Sequence, residues 1–65
     1  MDVVVYGVEE APPGFRVVES VEELRRYMGR AFIVVVGDEG LAEELGVVCL
    51  SREEWGELLR RYGQI

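Results

Sequence analysis

The segment AFIVVV, residues 31–36, is the most hydrophobic stretch of the chain and decides its fold class. The run is too short for a core helix, and Gly29 and Gly37 bound it on the two sides. A short, uninterrupted apolar run of this kind is typical of a parallel strand buried on both faces of a sheet. The segment DVVVY, residues 2–6, has the same character. The sequence therefore predicts a parallel sheet with residues 31–36 at its centre.

Two further strands and a loop complete the predicted sheet. Residues 8–14 contain Pro12 and Pro13. Proline cannot donate a backbone hydrogen bond, so this segment is predicted to be a loop. Short apolar runs predict the remaining strands at residues 15–18 and 47–50.

Three helices are predicted from their boundary residues and apolar spacing. Ser20 with Glu23, and Ser51 with Glu54, are capping-box patterns, in which a serine and a glutamate satisfy backbone N–H groups at the start of a helix. Asp38 is a favourable N-cap for the middle helix. The predicted spans are residues 21–28, 40–45 and 52–62.

The order of these elements is strand, loop, strand, helix, strand, helix, strand, helix. It predicts one small α/β domain over residues 1–65, with an open, mainly parallel four-stranded sheet, three helices and right-handed crossovers. This is a minimal Rossmann-like or flavodoxin-like fold. The first connection has only about eight residues, fewer than a helical crossover needs. One sheet face is thus expected to lack its usual helix, and either the terminal helix or a second chain is expected to cover it.

The charge balance argues against two classes of partner. The chain has 65 residues with 7 arginines, no lysine and 13 acidic residues, which makes its net charge −6. Binding to nucleic acid depends on clustered basic residues, so no nucleic-acid partner is expected. No apolar run reaches the roughly 18–20 residues that span a membrane. Direct membrane insertion is therefore not expected, and a cytoplasmic location is.

The residue types also favour a noncatalytic protein that binds a partner. There is one cysteine and no histidine, which excludes an internal disulfide and removes the commonest zinc ligand and neutral-pH base. Apolar residues and glycine make up 37 of the 65 residues, above the usual share. A chain shorter than roughly 70 residues builds only a marginal core, so the apolar excess indicates a protein partner. The lack of Lys, Asn and Thr is compatible with a thermophilic source.

Acidic residues follow the predicted strands at the carboxyl edge of the sheet, where ligands bind in parallel folds. Glu9 and Glu10 follow the first strand, and Asp38 and Glu39 follow the third. Carboxylates in such a place could hold Mg²⁺, and a Mg²⁺-dependent hydrolase using Asp38 with Glu9 or Glu10 is one hypothesis. Helix capping and solvated loops explain the same residues without a metal. No catalytic residue, cofactor or metal is therefore predicted, and Cys49 is expected to be a buried structural thiol.

The predicted terminal helix has the strongest amphipathic pattern in the chain. Its apolar side chains fall at i, i+3, i+4 and i+7, on one face of a helix. They are Trp55, Leu58, Leu59 and Tyr62. Since an apolar helical stripe is a typical contact surface for a helical partner, we expect these four residues to bind one.

Three segments resemble the F subunit of archaeal A-type and V-type ATP synthases. The first is Gly7, six intervening residues, and Gly14-Phe15-Arg16; the second is IVVV at residues 33–36 followed by DEGLAEEL at 38–45; the third is ELLRRYGQI at 57–65. The resemblance implies a noncatalytic subunit of the central rotor stalk, with a Rossmann-like domain whose C-terminal helix packs against the coiled coil of the D subunit. It implies a location peripheral to a membrane complex.

A second set of segments resembles the C-terminal half of PIN-type nuclease domains. It consists of residues 34–48 and 51–58, with Asp38 in the position of a metal-binding acid. Gly7 stands where the first acid of such a site is expected, which implies a degenerate binding module and not an active nuclease. The other alternative is a free-standing small α/β homo-oligomer.

Overall fold

The computed structural model describes residues 2–62, and these form one four-stranded parallel sheet with three helices. The elements are β1 (Val3–Tyr6), β2 (Phe15–Val18), α1 (Val21–Arg26), β3 (Phe32–Val36), α2 (Glu39–Leu45), β4 (Val48–Leu50) and α3 (Arg52–Tyr62). The strand order is β2-β1-β3-β4, and each neighbouring pair is parallel. The predicted small, parallel α/β fold is confirmed.

The two valine-rich strands occupy the middle of the sheet. Val3 of β1 aligns with Phe15 of β2 on one side and with Phe32 of β3 on the other. Val4 and Val5 are consecutive and both fully buried, and residues 33–36 of β3 are buried as well. Consecutive strand residues point to opposite faces. Both faces of the sheet are therefore covered, as the uninterrupted apolar runs predict.

The two faces carry separate cores. On one face, α1 and α2 pack over a cluster of Val4, Val18, Leu24, Ile33, Val35 and Ala42. On the other, Trp55 of α3 joins Val5, Val34 and Val36, and Val8 and Ala11 of the first loop pack at the border of this cluster. The terminal helix thus covers the face that the short first connection leaves without a helix.

Element boundaries differ from the predictions by one or two residues, most clearly at the end of α1. The prediction that this helix runs to Met28 is wrong, because the helix ends at Arg26. The backbone N–H groups of Tyr27 and Met28 donate to Leu24 and Arg25, three residues back, which tightens the last turn. Met28 consequently leaves the buried stripe and is 38% exposed.

The strands β1, β3 and β4 also begin one residue later than predicted, and α2 begins one residue earlier. Asp38 caps α2 as expected, since its Oδ1 accepts a hydrogen bond from the Leu41 N–H at 3.0 Å. Gly46 ends the same helix in the left-handed conformation, with φ +70°. Val47 then donates its N–H to the Ala42 carbonyl oxygen and so belongs to the helix terminus instead of to β4.

Both predicted serine caps are present. At α3, the Glu54 N–H donates to Ser51 Oγ at 3.0 Å, and the Ser51 N–H donates to Glu54 Oε1 at 2.9 Å. At α1, the Glu23 N–H donates to Ser20 Oγ at 3.1 Å, but the Glu23 carboxylate accepts from the Glu19 N–H. Only the α3 cap is therefore a fully reciprocal capping box.

The Ser51→Ala substitution is expected to lower the free energy of unfolding by about 1 kcal/mol, because it leaves a first-turn N–H of α3 without its acceptor. Ser51→Asp is the matched control, since aspartate supplies an acceptor at the same place and suits the positive end of the helix dipole. Urea denaturation of the two variants measures the difference. An equal loss in both would contradict the cap as its cause.

Candidate functional site

The carboxyl edge of the sheet contains a topological switch point between β1 and β3. From β1 the chain moves to β2 on one side, and from β3 it moves to β4 on the other. In open parallel sheets, ligands bind in the crevice that opens where the strand order reverses in this way. The residues around the crevice are therefore the first candidates for a functional site.

Gly7 follows β1 directly and lies beside this crevice. Its φ is +100°, and a Cβ at this position would overlap the carbonyl oxygen of Val36 at the end of β3. Gly37, which follows Val36 in the chain, has φ +76°, and a Cβ there would lie 3.2 Å from Nε of Arg52. The Arg52 side chain therefore lies against Gly37, and the ends of β1 and β3 approach each other closely.

A shallow depression beside Gly7 is lined by both apolar and charged side chains. Val36, Trp55 and Leu59 contribute apolar surface, and Glu9 and Arg52 are among the charged residues that line it. The indole Nε1–H of the buried Trp55 donates to the backbone carbonyl oxygen of Glu10 at 3.4 Å. This hydrogen bond attaches the first loop to α3.

The four acidic candidates lie at this edge of the sheet. Glu9 and Glu10 are in the loop after β1, and Asp38 and Glu39 are at the start of α2; all four are exposed. Asp38 already accepts the capping hydrogen bond from Leu41. Within residues 2–62, no three histidine, cysteine or acidic side chains lie close enough to hold a metal ion.

The apolar stripe of α3 divides between the core and the surface. Trp55 is 4% exposed and packs edge-on against Phe15, with ring centroids 5.7 Å apart, so its side chain belongs to the core. Leu58 and Leu59 are half-buried against the same core. Tyr62, at the end of the helix, is 59% exposed. Of the four predicted partner-binding residues, Tyr62 is the most accessible.

A second candidate surface, which the sequence patterns did not identify, lies between α3 and β4. One groove there is lined by Leu50 and by the side of α3 that carries Glu54, Glu57, Leu58, Arg61 and Tyr62. Val48, on the same sheet face as Leu50, is 42% exposed. We refer to Glu54, Leu58, Arg61 and Tyr62 as the α3 flank. The spacing of its first three members, i, i+4 and i+7, is the signal that could have identified it.

Cys49 lies between Val48 and Leu50 in β4 and is half-buried, less enclosed than predicted. Its thiol lies on the α1–α2 side of the sheet and donates weakly to the Leu50 carbonyl oxygen at 3.9 Å. Because β4 is an edge strand, packing on one side of this residue is incomplete. The thiol is therefore partly accessible.

Comparison of the chain with protein-family models, with curated proteins and with solved structures found no significant match. Among the helices of residues 2–62, none has both the length and the apolar character needed to cross a bilayer. The functional proposals therefore depend on the motifs of the sequence and on the surfaces described above.

Proposed function

We propose that this chain is a noncatalytic protein-interaction domain that binds its partner through the α3 flank and the adjoining strand β4. The observation that carries the proposal is the exposure of large apolar side chains on this side of the molecule. Tyr62 is 59% exposed and Val48 is 42% exposed, although the rest of the α3 stripe packs on the sheet. Aromatic residues at the border of a partly buried apolar cluster are frequent anchors of protein interfaces.

The partner that the sequence motifs favour is a helical stalk protein of an archaeal-type ATP synthase, with this chain as a counterpart of the F subunit of the stalk. An amphipathic helix with accessible apolar side chains can pack against another helix. Charge supports the same mode of binding, because Glu54 and Arg61 flank Leu58 on one side of α3 and can pair with charges on a partner helix. In this role the chain would be a cytoplasmic protein peripheral to a membrane complex.

Affinity purification of the tagged chain from detergent-solubilised membranes of its source tests this assignment. We expect the wild-type chain to retain ATP synthase stalk proteins, and Tyr62→Ala to retain about tenfold less, because an interfacial tyrosine often carries much of the binding energy. Met28→Ala is the matched control. Met28 is 38% exposed and follows α1, which packs on the opposite face of the sheet from α3.

Recovery of the tagged wild-type chain without any component of the ATP synthase would exclude the stalk assignment. Equal retention by the Tyr62 and Met28 variants would exclude the α3 flank as the binding surface. Circular dichroism of both variants checks that each retains the fold.

A further inference from the structure

The two edges of the sheet are protected very differently. The outer strand β2 carries the exposed Arg16 and follows the Pro12-Pro13 pair, features that discourage another strand from pairing with an edge. The other outer strand, β4, consists of Val48, Cys49 and Leu50 and has no charged residue. Because unprotected edge strands readily add a further strand, β4 is the edge that is open to a partner.

The backbone of β4 can pair with a copy of itself. The Leu50 carbonyl oxygen accepts a hydrogen bond from the Gly37 N–H at 2.9 Å, on the side of β3. Peptide groups of consecutive strand residues point alternately to the two sides of the strand. The N–H and C=O of Cys49, the central residue, therefore face the open edge. Two copies of β4 in antiparallel orientation can form two hydrogen bonds between these groups, with the symmetry axis between the two Cys49 residues.

The α3 flank can also pair with the α3 flank of a second copy across a two-fold axis. When two copies of α3 lie antiparallel with Leu58 facing Leu58 of the second copy, Glu54 of each copy faces Arg61 of the other. The positions lie four residues before and three residues after Leu58, which is the spacing of one helical face. Only Ser51 separates β4 from α3, so one two-fold axis can serve both the strand pair and the helix pair.

We propose that, when no stalk protein is bound, the α3 flank and β4 bind a second copy of the chain, in a two-fold symmetric dimer that joins the two sheets through β4. The two edges form one continuous sheet, and the two α3 helices pack antiparallel on one face of it. The contact places Val48 opposite Leu50 of the second copy. It also forms two symmetric Glu54–Arg61 ion pairs. The proposal rests on the proposed function, because it uses the same interaction surface, for which a stalk protein and a second copy would compete.

Charge substitution in α3 tests the helix contact. Arg61→Glu replaces both ion pairs by repulsion and is expected to raise the dimer dissociation constant by about tenfold or more. Arg60→Glu is the matched control. It makes the same charge change in the same last turn, but Arg60 does not line the groove. Glu54→Gln is a second probe, since glutamine retains the capping box but loses the charge. Sedimentation equilibrium at low ionic strength measures all three variants.

Two measurements test the strand contact. Hydrogen exchange at the Cys49 N–H is expected to slow as protein concentration rises, because this group faces solvent in the monomer and is bonded in the dimer. Cys49 is the only cysteine, so any thiol cross-link joins two chains. Opposed side chains in an antiparallel pair have Cβ atoms about 4.5–5.5 Å apart, so a short bismaleimide is expected to give a covalent dimer. Val48→Lys is expected to abolish it, and Met28→Lys is not.

A monomer at concentrations of several hundred micromolar would overturn this proposal. So would a dimer in which Arg61→Glu and Arg60→Glu behave alike, or in which Cys49 exchange does not depend on concentration. A monomer that still binds a stalk protein through Tyr62 would leave the proposed interaction function intact. A monomer that binds no stalk protein would overturn both.

Discussion

The Trp55→Ala variant is expected to be largely unfolded in water at room temperature. Trp55 is 4% exposed and is the residue of α3 that completes the core with Val5, Val34 and Val36. Removing a buried tryptophan side chain usually lowers the free energy of unfolding by about 3–5 kcal/mol. A single core in a domain this small rarely supplies more than about 3–5 kcal/mol in total, so the loss is as large as the whole stability. The substitution also removes the hydrogen bond from the indole to the Glu10 carbonyl oxygen, which frees the first loop from α3.

Two other variants separate this core effect from a general sensitivity of α3. Tyr62→Ala removes a large aromatic side chain from the same helix, but at a position that is 59% exposed, so it is expected to change stability by less than about 1 kcal/mol. Trp55→Phe retains a ring in the core and is expected to fall between the two. Far-ultraviolet circular dichroism and urea denaturation measure the series. A folded Trp55→Ala variant as stable as Tyr62→Ala would show that the packing of Trp55 against the second sheet face does not stabilise the fold.

The second large effect is expected at Gly7, where β1 ends. Alanine at this position must adopt φ near +100°, which is unfavourable by about 1–2 kcal/mol for a residue with a Cβ. Its Cβ would also overlap the Val36 carbonyl oxygen, which belongs to the backbone of β3 and cannot rotate away. The ends of β1 and β3 must then separate, and we expect Gly7→Ala to lower the free energy of unfolding by about 3 kcal/mol or more in total.

Gly14→Ala is the matched control for the conformational part of this effect. Gly14 has φ +93°, close to that of Gly7, but apart from Gly14 itself and its two chain neighbours no residue has an atom within 4 Å of where its Cβ would be. It is expected to show only the backbone term, about 1–2 kcal/mol. Urea denaturation of both variants gives the difference directly. If the two substitutions were equally destabilising, the close approach of β1 to β3 would have no energetic consequence.

Local signals in the sequence predicted most of the fold because their causes are local. The apolar run at residues 31–36 is central in the sheet, and the serine of the Ser51–Glu54 box accepts its capping hydrogen bond where expected. A side chain that caps a helix does so within three residues, so the sequence contains both partners. The end of α1 was missed because a tightened last turn depends on the following chain reversal, which Gly29 makes at φ +78°.

The candidate site was harder to predict because it depends on what covers each surface. Periodicity identified the α3 stripe but could not distinguish a stripe that packs on the chain's own sheet from one that faces a partner. Trp55 belongs to the first kind and Tyr62 to the second. No pattern in the sequence indicated that β4 would lie at an edge of the sheet. Whether Val48 and Cys49 lie at an edge or between two strands follows from the strand order alone.

The sequence by itself determined that residues 33–36 lie in a strand buried on both faces of a parallel sheet, and, to within one residue, where each helix begins. These properties follow from hydrophobicity and from hydrogen bonds within a few residues. Only the tertiary structure decided the order β2-β1-β3-β4, the packing of α3 over the second face and the position of β4 at an open edge. They depend on contacts between residues distant in the chain, whose free energies arise from the sheet as a whole.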